Sequence, residues 1–127
     1  MRGFAACLIG AVALLTAAAA DAQPDTYPSK PVRVIVGFAA GGGTDFLARA
    51  VADRMFPGSE RIVVENRPGA GGRIAIEVVK RAAPDGYILL MGPAGVMTVT
   101  PAVDPKAPFE TLRDFAPISM VGSYPFI

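Results

Sequence analysis

The chain has 127 residues, 52% of them apolar and 18% charged, with a net charge of +1. That length suits one compact domain, and so even a balance excludes a strongly basic nucleic-acid binder, which needs surplus Lys and Arg to neutralise phosphates. Histidine is absent and Cys7 is the sole cysteine, so soft-metal centres, disulfides and Ser-His or Cys-His catalysis are excluded as well.

Residues 1–22 read as an export signal. Arg2 is the only charge before Asp21. Between them lies an apolar run from Phe4 to Leu15, then alanine-rich sequence closing on Ala20-Asp21-Ala22. A basic start, a short apolar run and a small-x-small exit describe a secretory signal peptide, cleaved here after Ala22, rather than a membrane anchor. The expected location is therefore the periplasm. Removing 22 of 127 residues leaves 105, with Cys7 gone.

Residues 23–31 form a polar, proline-containing lead-in, and residues 32–127 are expected to form one α/β lobe. Val32 to Phe38 is β-branched and apolar, a buried strand. Ala39-Ala40-Gly41-Gly42-Gly43 is a loop. Thr44 is placed as the N-cap of a helix over Phe46–Phe56, with Asp45 in its first turn. Leu47, Val51 and Met55 share one face of that helix, and Phe46 and Phe56 are assigned to the core. Pro57-Gly58 ends it.

The pattern then repeats. Ile62–Asn66 is a strand, Arg67–Gly72 a loop, and Arg73–Ala82 a helix with Ile74, Ala75, Val78, Val79 and Ala82 on one stripe. Ala83–Gly86 is a turn and Tyr87–Gly92 a third strand. Strand starts at 32, 62 and 87 fit βαβ crossovers and so a parallel sheet. Further on, Gly95–Thr100 reads as a short helix or turn, Pro101–Pro108 as irregular, Phe109–Phe115 as one helical turn, and Ala116–Ser123 as a fourth strand. Tyr124–Ile127 is apolar and reads as a chain cut in mid-course.

Eight of the fourteen glycines fall between Gly37 and Gly72. In a parallel sheet both glycine loops leave the carboxyl ends of their strands, on the edge where open α/β sheets bind ligands. Each opens a helix whose free N–H groups suit an anion, and glycine lets those groups come close. Tight turning is the competing role for each loop taken singly. Asp45 is a helix-start carboxylate or a ligand contact; Arg67 a solvated strand-end arginine or a carboxylate contact; Phe38 a core residue or a pocket wall. The dinucleotide pattern fails at Phe46 and Ile74, and no Gly-Lys-Ser/Thr occurs. Lys30, Lys80 and Lys106 stand in no recognisable relation to a nucleophile, and no calcium loop is present. No catalytic residue, metal or cofactor is expected.

Five motifs in order carry a resemblance. They are Tyr27-Pro-Ser-Lys-Pro31; Val34 to Asp45, ending Phe-Ala-Ala-Gly-Gly-Gly-Thr-Asp; Val63-Val-Glu-Asn-Arg-Pro-Gly-Ala-Gly-Gly72; Ala83-Pro-Asp-Gly-Tyr87 with Leu89-Leu-Met-Gly92; and Asp114-Phe-Ala-Pro117. Together they resemble the extracytoplasmic substrate-binding receptors of tripartite tricarboxylate transporters, often called Bug receptors, over nearly all of residues 27–123. The resemblance implies a two-lobed periplasmic binding protein. Such a protein closes on a small carboxylate and passes it to a permease of one large and one small membrane subunit. It implies a ligand site that uses Phe38, Ala39, Ala40, Gly41, Gly42, Gly43, Thr44 and Asp45; Arg67, Gly69, Ala70, Gly71 and Gly72; and Pro93 and Ala94, largely through backbone amides.

Two departures are visible. Pro93-Ala94 stands where the family commonly has a small hydroxyl or amide residue, and proline lacks an N–H. The family's length also implies a second lobe, so this chain is expected to be an N-terminal portion that does not bind well alone. A small lobe of a phosphate-handling enzyme is the rival from another class. A receptor portion used only in sensing or interaction is the third.

Overall fold

In a computed structural model, residues 27–55 and 62–123 are described. The signal-peptide assignment, Phe56, the Pro57-Gly58 stop and Tyr124–Ile127 lie outside them.

The elements follow the β-branched and amphipathic runs. Strand β1 is Val32–Val36, helix α1 Gly43–Met55, strand β2 Ile62–Asn66, helix α2 Arg73–Lys80 and strand β3 Ile88–Met91. Helix α3 is Ala94–Val103, and α4, Thr111–Asp114, is a single turn. The three strands form one parallel sheet in the order β2-β1-β3. Val34 stands opposite Val64 on one side and Leu89 on the other.

That order decides where the helices lie. The chain steps from β1 to β2 in one direction and from β2 across β1 to β3 in the other. Right-handed crossovers in opposite directions place α1 and α2 on opposite faces. On one face Val34 and Val36 pack with Ala48 of α1, flanked by Ile62, Val64, Leu89 and Met91. On the other, Ile35 is fully buried, as are Ala75 and Ile76 of α2. The central strand is thus covered on both sides, which is why Val34-Ile35-Val36 reads as an uninterrupted apolar run.

Several expectations are corrected. β1 stops at Val36 rather than Phe38, because Gly37 turns in against the second glycine loop. A Cβ on Gly37 would lie 2.9 Å from the Gly72 Cα. α1 meets the sheet through Ala48, not through the Leu47–Val51–Met55 face; Met55 is exposed and Phe46 is 71% exposed rather than core. Small Ala48 lets the helix sit close, and the larger residues flank the contact. In α2 the buried isoleucine is Ile76, while Ile74 of the predicted stripe is exposed and lies over Gly69. Residues 116–123 form no strand. Ile118 and Met120 there are about four-fifths exposed, with no strand alongside to fix them.

α3 also runs further than expected, through Pro101 to Val103. A proline at 101 offers no N–H to the Met97 carbonyl one turn back. The Thr111 hydroxyl donates to that carbonyl instead. Ion pairs Arg73–Asp104 (2.7 Å) and Lys80–Asp114 (2.8 Å) tie the end of α3, and α4 beyond it, back to α2.

Candidate functional site

Because β1 is central, the loops after β1 and β3 leave the sheet toward opposite faces. Open parallel sheets leave a crevice at such a point. Three connections meet along this carboxyl edge: residues 37–42, residues 67–72, and Gly92-Pro93.

The first loop is braced from beneath. Ala39 and Ala40 are exposed. Gly41 has φ +85°, a conformation that favours glycine, and its N–H donates to Asp45 Oδ2 (2.8 Å). α1 begins at Gly43, so Thr44 lies inside the helix and is not its cap; the Gly42 carbonyl accepts the first bond, from the Phe46 N–H (2.9 Å). Asp45, 3% exposed, is the one buried charged side chain among the described residues. Arg49 Nε (3.0 Å), the Gly41 N–H and Asn66 Nδ2 (2.9 Å) all donate to it. Those bonds, Arg49's foremost, hold its carboxyl well below the usual carboxylate range. The geometry makes Asp45 a brace for the loop. A Cβ on Gly42 meets only the Ala39 oxygen, at 3.5 Å, and one on Gly43 meets nothing within 4 Å. Among the described residues the Thr44 hydroxyl and the N–H groups of Gly43, Thr44 and Asp45 have no protein acceptor or donor. Free N–H groups are the normal condition of a first helical turn.

The second loop is wound differently. Gly69, Ala70, Gly71 and Gly72 all have positive φ, at +133°, +48°, +64° and +90°. The Gly72 N–H donates to the Gly69 carbonyl (2.9 Å), and the Arg73 N–H to that of Ala70. The result is a short left-handed turn that hands over to right-handed α2. A Cβ on Gly69 would lie 2.5 Å from Ile74 Cδ1, and one on Gly72 would touch the Phe38 ring at 3.5 Å. Phe38 is 36% exposed, so it walls this edge instead of joining the core.

Arg67 is half exposed and donates to Glu65 Oε2 (3.1 Å). Glu65 also takes two bonds from Arg33, at 2.6 and 2.8 Å. Arg33 chiefly, with Arg67, lowers the Glu65 carboxyl to about 2. Arg67 is thereby drawn along the sheet. At the third connection Pro93 precedes α3 and its carbonyl accepts the N–H groups of Val96 (3.0 Å) and Met97 (3.1 Å). Ala94 is exposed.

Asn66 is the residue that sequence reasoning passed over. At the last position of β2 it donates to the Phe38 carbonyl (3.0 Å) and to Asp45, and accepts from Arg49 Nη2 (3.1 Å). One amide thus joins both glycine loops. Its signal was an Asn in the final strand position directly before a glycine loop, where a short amide reaches neighbouring backbone.

The described residues form a parallel α/β unit with two glycine loops on one edge of the sheet. The chain belongs to the tripartite tricarboxylate transporter family receptors, whose model matches residues 47–127. It is 37% identical over 125 residues to Protein BugT of Bordetella pertussis, covering 94% of this chain and 38% of that protein. A solved structure of MatC from Rhodopseudomonas palustris with bound malate superposes with TM-score 0.68, at 36% identity, over 75% of this chain and 33% of that one. A structure of a periplasmic transporter gives TM-score 0.60 and 48% identity over 67% of this chain and 29% of that one. The chain therefore spans well under half the length of these relatives.

Proposed function

We propose that residues 23–127 form the first lobe of a periplasmic receptor that binds a small carboxylate and presents it to the membrane subunits of a tripartite transporter. The observation that carries this reading is the first loop. Gly42 and Gly43 leave room where a Cβ would stand, the N–H groups of Gly43, Thr44 and Asp45 have no protein acceptor among the described residues, and Asp45 and Asn66 brace the loop. A carboxylate there accepts backbone N–H bonds at a helix N-terminus, with no basic side chain needed. MatC, similar over three-quarters of this chain, binds malate. The family is one of receptors.

A binding protein gains affinity by enclosing its ligand between two lobes. One lobe leaves the anion half solvated, where each amide bond competes with water. Calorimetry on residues 23–127 alone is expected to give affinities weaker than about 1 mM, roughly 4 kcal/mol. On the full-length protein, titration with a panel of carboxylates is expected to give micromolar binding of at least one. No binding of any carboxylate would overturn the reading. Export is tested separately: mass spectrometry of the periplasmic protein should begin at Gln23, and a retained Met1 would overturn cleavage after Ala22.

A further inference from the structure

The first loop presents a charge conflict. Its free donors include the N–H of Asp45 itself, and Asp45 carries a buried carboxylate, 3% exposed. A ligand carboxylate on that N–H would lie within a residue's length of a fixed negative charge. A helix start draws an anion with about half a unit of positive charge, and Asp45 in the first turn of α1 already consumes it. Two carboxylates so close repel, and more strongly where protein displaces water.

The compensating charge is Arg49, one turn further along α1. Its Nε donates to Asp45 Oδ2, and its Nη2 lies 3.0 Å from Oδ1, so the guanidinium spans both carboxylate oxygens. The remaining partners of Asp45, the Gly41 N–H and Asn66 Nδ2, are neutral. They fix the carboxylate in place and leave its charge. The other arginines of this edge are taken, Arg67 by Glu65 and Arg73 by Asp104. Among the described residues Arg49 alone is the cation bound to Asp45. Its own side chain is half exposed, so exchanging it leaves the core untouched.

Resting on the receptor reading above, we infer that Arg49 is a positioning residue for the ligand anion: by cancelling the charge of Asp45, it lets a loop braced by one carboxylate seat a second. Two contributions of its side chain are separable. The planar fork holds Asp45 and Asn66 in register, since Nη2 also donates to Asn66 Oδ1 (3.1 Å). The positive charge offsets Asp45. Lysine keeps the charge and loses the fork. Glutamine keeps a donor and loses the charge.

The test is calorimetry at neutral pH on the full-length protein with acetate, benzoate, succinate, malate and citrate; the acid that wild type binds most tightly is the probe. Arg49→Gln is expected to weaken its binding at least about fivefold, and Arg49→Lys no more than about twofold. Asp45→Asn added to Arg49→Gln removes the charge left uncovered and should recover at least half of the loss on a logarithmic scale. Urea midpoints measured alongside separate binding from folding, and Arg49→Met, also uncharged, serves if the glutamine variant folds poorly. Full affinity in a folded, uncharged variant overturns the inference. So does a lysine variant as weak as the glutamine one, because the fork and not the charge would then matter, and so does a double variant that recovers nothing. Each of these outcomes leaves the receptor reading intact. Binding of none of the five acids by wild type removes the receptor reading for them and this inference with it.

Discussion

The two glycine loops share composition, position and sheet edge, yet their glycines serve different ends. In residues 39–43 only Gly41 has positive φ, and Gly41, Gly42 and Gly43 look onto open space or ordinary contact. In residues 67–72 four consecutive residues have positive φ, a Cβ on Gly69 would lie 2.5 Å from the end of the exposed Ile74 side chain, and one on Gly72 would make ordinary contact with Phe38. The second loop needs glycine chiefly for conformation, whereas in the first only Gly41 does, and Gly42 and Gly43 leave room. Glycine content alone does not distinguish an open loop from a tight turn; the run of positive φ does.

The largest effect that separates the loops belongs to the second. Gly69→Val meets both a positive φ and the Ile74 side chain at 2.5 Å. Ile74 is exposed and can turn aside, so a cost of about 3 kcal/mol is expected from the backbone strain of a β-branched residue at φ +133°, read as a lowered urea midpoint. A midpoint within error of wild type would show that the turn relaxes freely and that its glycines are as unconstrained as those of the first loop. Next comes the joint between the loops. Asn66→Ala removes the donors to the Phe38 carbonyl and to Asp45. A loss of about 2 kcal/mol is expected from the acceptors left behind. Asn66→Asp should not rescue it, because a carboxylate would face Asp45.

Much of this was legible in the sequence. The β-branched runs and their spacing specify a parallel sheet, and the motif series specifies the family. What was not legible depended on three-dimensional neighbours. Periodicity marks Leu47, Val51 and Met55 as an apolar face, but Ala48 makes the closest contact because small size, not hydropathy, sets the approach. Ala116–Ser123 has strand-like composition without a partner strand in the described residues. Thr44 is a good capping residue by type, but Asp45 already draws in the Gly41 N–H, which moves the helix start to Gly43. Residues 101–108 read as irregular from their prolines, yet α3 runs through Pro101, and the Thr111 hydroxyl, ten residues on, takes up the Met97 carbonyl that the proline cannot serve. Asn66 carries no periodic signal at all.

In the first loop the expected effect is on binding and not on folding. Gly42 has no positive φ, and its Cβ would make only ordinary contact. Gly42→Val should leave the unfolding midpoint within about 0.5 kcal/mol of wild type, as for other unhindered surface changes. In the full-length protein it should weaken carboxylate binding at least tenfold, about 1.4 kcal/mol, by placing a branched side chain over the helix start. Unchanged affinity with intact folding would make this loop a turn like its neighbour.

The smallest effect tests the left-handed turn itself. Ala70 is the only described residue other than glycine with positive φ, at +48°. A Cβ in that conformation crowds the following carbonyl and costs about 1 kcal/mol or more. Ala70→Gly removes that crowding but adds freedom to the unfolded chain, which offsets about 0.4–1 kcal/mol. The balance is a gain of about 0.5 kcal/mol, measurable as a raised urea midpoint with ligand affinity unchanged. Glycine at an ordinary right-handed position would instead destabilise by about as much. The sign of this one substitution therefore reports the hand of the turn. A lowered midpoint would mean that residues 69–72 are not left-handed in solution, and the contrast between the two loops would then rest on the approach of Ile74 to Gly69 alone.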